Sequence, residues 1–174
     1  MCKQHLNPGG FITQWVPLYE STEGTVKSEI ATFFEVFPNG TIWGNETAFE
    51  EGYDVVLLGQ DGAARIDVDQ LQRRLDRPDH STIAKSLREI ALGSAVSLLG
   101  TYAGQAPDLR QYLAHAQINS DRNLRLQYLA GMGMDSQGAL FIYEDILRSR
   151  KFPPNLFLAS PEREKMLRKA MGMP

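Results

Sequence analysis

The chain has one cysteine, Cys2, so no disulfide can form within it. Its three histidines, His5, His80 and His115, are scattered, and their spacing makes no zinc-type ligand set. Positive charge is not in excess. Eighteen Lys and Arg stand against 21 Asp and Glu, a formal net charge of −3, which argues against a general nucleic-acid binder. No apolar run approaches the roughly 20 residues needed to cross a bilayer. The opening Met1-Cys2-Lys3-Gln4-His5 has no apolar core after a basic region, so no secretory leader is expected. There is also no G-x-G-x-x-G loop following a strand, which removes the usual phosphate cradle of a nucleotide-binding fold. What remains is an ordinary globular composition, 43% hydrophobic and 22% charged over 174 residues. The expectation is a cytoplasmic α/β protein that binds no nucleic acid and does not insert into a membrane.

The stretch Asn7–Tyr19 organises the reading. Asn7-Pro8-Gly9-Gly10 is turn chemistry, because Pro presets φ and Gly permits positive φ. Phe11-Ile12-Thr13 reads as a short, buried apolar strand suited to a sheet interior. Gln14, Trp15 and Tyr19 are expected at or beyond its carboxyl end, where open α/β sheets bind ligands. Ser21 or Thr22 then caps a helix whose face is Val26, Ile30, Phe33, Phe34 and Phe37, stopped by Pro38-Asn39-Gly40. Thr41-Ile42-Trp43 reads as a second strand, a loop spans Gly44 to Gly52, and Tyr53–Leu58 reads as a third strand, with Val55–Leu58 buried on both faces. The first two strands, joined by a helix, are expected parallel with a right-handed crossover. The third follows too closely for another crossover and is expected antiparallel, near one edge of a doubly wound sheet.

Beyond Asp61 the pattern turns helical. Helices are expected over Asp67–Arg77, Ser81–Leu92 (capped by Ser81 or Thr82), Ser94–Ala103, Asp108–Ala116 and Gln137–Arg150, with a last one opened by Ser160-Pro161-Glu162. Leu124–Ala130 fits a strand or a helix, and Gly131–Gly133 reads as a flexible break. The organisation expected is a partial Rossmann-like α/β unit over residues 1–60, a helical continuation over 61–131 and a helical appendage over 132–174. Residues 1–6 look like the last turn of a helix begun elsewhere, so the chain reads as the second half of a larger unit.

Taken together, LNPGGFITQWVPLY, TFFEVFPNGTIWGN, YDVVLLG and AHAQINSDRNLRLQYLAG resemble the spermidine synthase fold, second half only. The closer likeness is to the long bacterial spermidine synthase-like proteins, in which this domain is often fused to a membrane part and ends near an Asn-Thr-Asp-Asp…Leu-Glu-Tyr element. The resemblance covers Lys3 to Gly131. It implies a Rossmann-like, methyltransferase-like fold (strand, helix, strand, strand) followed by an α-helical region. It also implies a polyamine aminopropyltransferase that moves an aminopropyl group from decarboxylated S-adenosylmethionine to a diamine. The donor-binding loop and the carboxylate base belong to the half without a counterpart here. No catalytic residue is therefore assigned, and the chain alone is expected to bind no cofactor.

The likeness implies a substrate-side role for Gln14; Trp15 and Tyr19 can line a cationic-amine pocket through cation–π contacts, and Asn119 and Asp121 can close over a site. Each also has a plain structural reading. Gln14 can satisfy a strand-end backbone group, Trp15 and Tyr19 can simply pack, and Asn119 and Asp121 can cap a helix or an Asx turn. Ser120 and Arg122 replace the family's Thr and second Asp, which removes one carboxylate that would attract a cationic amine. Half a sheet leaves one edge bare, so a homodimer, or docking to a separately encoded N-terminal half, is expected. A non-catalytic interaction module and a methyltransferase remnant are the competing functional expectations.

Overall fold

The computed structural model describes residues 2–46, 52–129, 132–133 and 138–174. After a 3-10 turn at Cys2–His5, the elements in chain order are β1 (Phe11–Pro17), α1 (Glu23–Val36), β2 (Thr41–Gly44), β3 (Asp54–Gln60), β4 (Ile66–Asp67), α2 (Val68–Leu75), α3 (Ser81–Glu89), α4 (Ala95–Gly100), β5 (Tyr102–Gln105), α5 (Arg125–Leu129), α6 (Ala139–Ser149), β6 (Phe157–Leu158) and α7 (Pro161–Ala170). The described residues fall in two compact units that interleave along the chain. One, the sheet unit, holds residues 2–45, 52–63, 103–129, 132–133 and 138–151; the other, the helical unit, holds 46, 64–102 and 152–174.

The sheet unit is mixed α/β. Its four strands lie in the order β1-β3-β2-β5. β3 runs antiparallel to both β1 and β2, so β1 and β2 point the same way with β3 between them. The expected directions hold, but β1 and β2 do not pair with each other. The helical connection through α1 leaves room for one strand, and β3 fills it. β3 suits that central place because both its edges are paired and Val55, Leu57 and Gly59 are buried. Val56 and Leu58 are only half-buried, so β3 is covered fully on one face rather than on two.

α1 forms where local chemistry asks for it. The Thr22 hydroxyl oxygen accepts from the Thr25 N–H at 3.1 Å, and Glu23 sits in the first turn, where a carboxylate meets the positive helix end. The buried residues Val26, Ile30, Phe33 and Phe34 line its inner face. Phe37 follows, its ring centroid 5.0 Å from that of Phe33. Gly59 is what lets Phe37 lie on the sheet, because a Cβ there would stand 2.5 Å from the ring's Cγ. The face of β1 and β3 that carries Val16, Val55, Leu57 and Gly59 is therefore the core face.

The helical unit packs α4 against α7 and α2, with β4 and β6 forming a short parallel ladder. Asp67 caps α2 by accepting from the Gln70 N–H at 2.7 Å. Asp69 accepts from the Ser160 N–H at 2.8 Å and from Arg163 Nε at 2.5 Å.

Several elements depart from expectation. The helix expected over Ser94–Ala103 stops at Gly100, where the Thr101 hydroxyl donates back to the Leu98 carbonyl at 2.8 Å, and β5 follows. Residues 108–115 of the helix expected over Asp108–Ala116 form successive turns, with His115 at φ 70°, rather than a helix. α3 starts at Ser81 with no side-chain cap, because the 3-10 turn Pro78–His80 leads directly into it. Arg125–Leu129 is helical. Most of the loop expected between Gly44 and Gly52, part of the Gly131–Gly133 break and the start of the helix expected at Gln137 lie outside the described residues.

Candidate functional site

β1 is the outermost strand, and among the described residues no strand pairs with its far edge. The hydrogen-bond pattern shows which peptide groups that edge offers. The Leu18 N–H donates to the Tyr53 carbonyl at 3.1 Å. Residues 18 and 53 continue the register in which Phe11 faces Gln60 and Gln14 faces Leu57. In an antiparallel ladder such bonded pairs recur at every second residue. Ile12, Gln14 and Val16 therefore turn their main-chain groups toward β3, and Phe11, Thr13 and Trp15 turn theirs outward. Pro17 belongs to the outward set, which is why a residue without an N–H ends this strand at no cost to the ladder. The strand Phe11–Pro17 carries no charged side chain, although charges are the commonest protection of an exposed edge.

The side chains follow the same alternation. Phe11, Thr13 and Trp15 share a face with Val56, Leu58, Thr41 and Trp43. This is the face opposite α1. Phe11 is 67% exposed and Trp15 is 54% exposed. The Tyr19 ring lies 6.3 Å from Trp15 and 6.4 Å from Tyr53, tilted to both. Three exposed aromatics thus sit together at the carboxyl end of β1 and the start of β3. Tyr53 was not among the residues singled out from the sequence, where it reads only as the first residue of a strand.

The structure separates the other expected site residues. Gln14 is the central residue of β1, not a strand-end residue, because Trp15, Val16 and Pro17 continue the ladder. Its side chain belongs to the core-side face, exposed at the sheet margin, so Gln14 and Trp15 project to opposite faces of the sheet and do not line one pocket. Asn119 is fixed from both ends. Its N–H donates to Thr32 Oγ1 at 2.8 Å, and its side-chain oxygen accepts from the Leu126 N–H at 2.9 Å, at the start of α5. Asp121 is exposed in the turn that follows.

A second cleft in the sheet unit lies beside the start of α1. Lys27 Nζ sits 2.5 Å from the Glu23 carboxylate and 4.5 Å from the centroid of the buried Tyr112 ring. Burial, with the Glu23 and Asp145 carboxylates adding to it, pushes the Tyr112 hydroxyl well above its ordinary range. That hydroxyl and the Arg125 Nε are both shut off from solvent with no hydrogen-bond partner among the described residues. Among the described residues no group of three or more His, Cys, Asp or Glu side chains is placed to hold a metal ion, and no helix is long and apolar enough to cross a membrane.

No family model, no curated protein and no solved structure matches this chain.

Proposed function

We propose that this chain is the C-terminal portion of a spermidine synthase-like aminopropyltransferase, catalytically silent alone, whose β1 edge is the seam where the rest of a Rossmann-like sheet joins. The observation that supports this reading is the state of β1: outward main-chain groups, no charged side chain and an aromatic face open to solvent. Main-chain pairing at such an edge supplies affinity, and the exposed Phe11 and Trp15 supply apolar area for helices packed from the other half. The same edge supports a second reading, a non-catalytic interaction module, in which a second copy takes the place of the missing half.

Silence in isolation follows from what the fold needs. A general base contributes on the order of 10² to 10⁴ in rate, and positioning of the donor contributes more. Gln14 and an aromatic cluster on the opposite face replace neither. The test is a thermal-shift titration with decarboxylated S-adenosylmethionine beside S-adenosylmethionine. A bound ligand at 100 times its Kd would stabilise the chain by about 2.7 kcal/mol. The expected melting temperature is unchanged by either compound. A rise with the decarboxylated donor would overturn silence, and a rise with S-adenosylmethionine alone would favour a methyltransferase remnant.

A further inference from the structure

We propose that a second copy of this chain pairs antiparallel with the outer edge of β1, in a two-fold register centred on Thr13, so that two four-stranded sheets join into one. The inference rests on the second reading of that edge and adds to it how the partner is aligned.

The free main-chain groups limit the alignment. Ile12, Gln14, Val16 and Leu18 are bonded toward β3, so the outward set is Phe11, Thr13, Trp15 and Pro17. Bonded pairs across an antiparallel seam form only between outward residues, each pair exchanging two N–H···O bonds. A ladder centred on Thr13 sets Phe11 of each copy opposite Trp15 of the other, with Thr13 opposite Thr13. Pro17, which has no N–H to give, falls outside these pairs. Moving the centre one residue toward Pro17 would set Phe11 against Pro17 and lose a donor. Moving it one residue the other way would set Trp15 against Gly9, which sits in the turn at φ 73°.

The side chains favour the same register. Opposite residues project to one face, so the exposed Phe11 of each copy meets the exposed Trp15 of the other on the face away from α1. No charged side chain enters the ladder. Charge at the ends of the strand selects its direction. Lys3 and His5 precede β1 and Glu20 follows it, all three exposed, while Asp61 lies one strand further in, just beyond β3. Antiparallel pairing brings the acidic end of one edge strand toward the basic end of the other, whereas parallel pairing would set like ends together.

The opposite edge of the sheet does not compete. β5 is four residues long, and Tyr102, Ala103 and Gly104 in it are buried. A head-to-tail contact of β1 on β5 would propagate into a filament, while β1 on β1 uses one patch twice and closes as a dimer.

Disulfide trapping tests the register, in a Cys2→Ser background that removes the exposed native thiol. The Cα atoms of a bonded antiparallel pair stand about 5.5 Å apart, within the span of a disulfide. Under mild oxidation Thr13→Cys should form a covalent dimer of twice 19.5 kDa that reduction reverses. Phe11→Cys alone should not, because its two copies lie about 14 Å apart along the ladder. A mixture of Phe11→Cys and Trp15→Cys chains should cross-link, and it reports the same register if Thr13→Cys does not fold. A Cys2→Ser protein that scatters as a dimer while neither Thr13→Cys nor the mixture cross-links, or Phe11→Cys cross-linking alone as readily, would overturn the register and leave the β1 edge an interface. A monomer that cross-links at none of these positions would overturn the register and the second reading together.

Discussion

Replacing Gly59 with alanine should destabilise the sheet unit by about 1–3 kcal/mol, the usual cost of forcing an extra carbon into a packed interior. The magnitude follows from the geometry. The new Cβ would stand 2.5 Å from Cγ of Phe37 and 2.8 Å from both of its Cδ atoms. Carbon atoms prefer about 3.5–4.0 Å, so the ring would have to retreat by about 1 Å. It has little room to do so, being 4% exposed and packed at a tilt against Phe33, with ring centroids 5.0 Å apart. Phe37→Leu alone should cost less than about 1.5 kcal/mol, as a nearly volume-conserving swap. A leucine leaves space over position 59, so the double variant should be less destabilised than the sum of the two by about 1 kcal/mol. Urea unfolding followed by tryptophan emission reads this cleanly. Both tryptophans are in the sheet, Trp15 in β1 and Trp43 in β2, so the signal follows this unit and not the helical one. A neutral Gly59→Ala, or strict additivity with Phe37→Leu, would refute the packing argument and with it the identification of the covered face.

Two further outcomes follow from single groups. The Ser160 N–H, with the Arg163 guanidinium adding to it, holds the Asp69 carboxyl below its ordinary value of 3.8. A carboxyl depressed in the folded state stabilises above its unfolded value and loses that contribution as pH falls through the folded one. Asp69→Asn should therefore be less stable than wild type at neutral pH and should lose less stability on acidification below about pH 4, read by far-UV circular dichroism; parallel acid profiles would contradict this. Tyr112→Phe removes a buried hydroxyl that lacks a partner while keeping the ring under Lys27, so it should raise stability by about 1 kcal/mol, and a loss of that size in denaturant melts would show the hydroxyl to be satisfied.

What could be read from the sequence was mostly what is local. The cap at Thr22, the spacing of Val26, Ile30 and Phe33, and the stop at Pro38-Asn39-Gly40 specify α1 within one segment. The directions of β1, β2 and β3 followed from the lengths of their connections. The order of the strands did not, because it depends on which strand fills the gap left by a helical crossover. Tyr102-Ala103-Gly104-Gln105 carries no strand pattern and becomes β5 only beside β2. β4 and β6 are two residues each and exist only as each other's partner. Gln14 falls beyond the strand when only Phe11-Ile12-Thr13 is read as β1, whereas the ladder runs on through Pro17, because an outward-facing position on an edge strand tolerates proline. Arg125 sits in a stretch that fits strand or helix equally, and nothing local marks a nitrogen whose acceptor is missing.

The outer edge of β1 as an interface is tested most directly by the solution mass of the chain with and without its outward donor. Thr13→Pro removes an N–H that faces away from β3, so the β1–β3 ladder stays whole while the free edge is spoiled. Light scattering at micromolar concentration should show the wild type above its monomer mass of 19.5 kDa and Thr13→Pro at that mass. A wild type that runs as a clean monomer, or a Thr13→Pro variant that associates as the wild type does, would contradict the account.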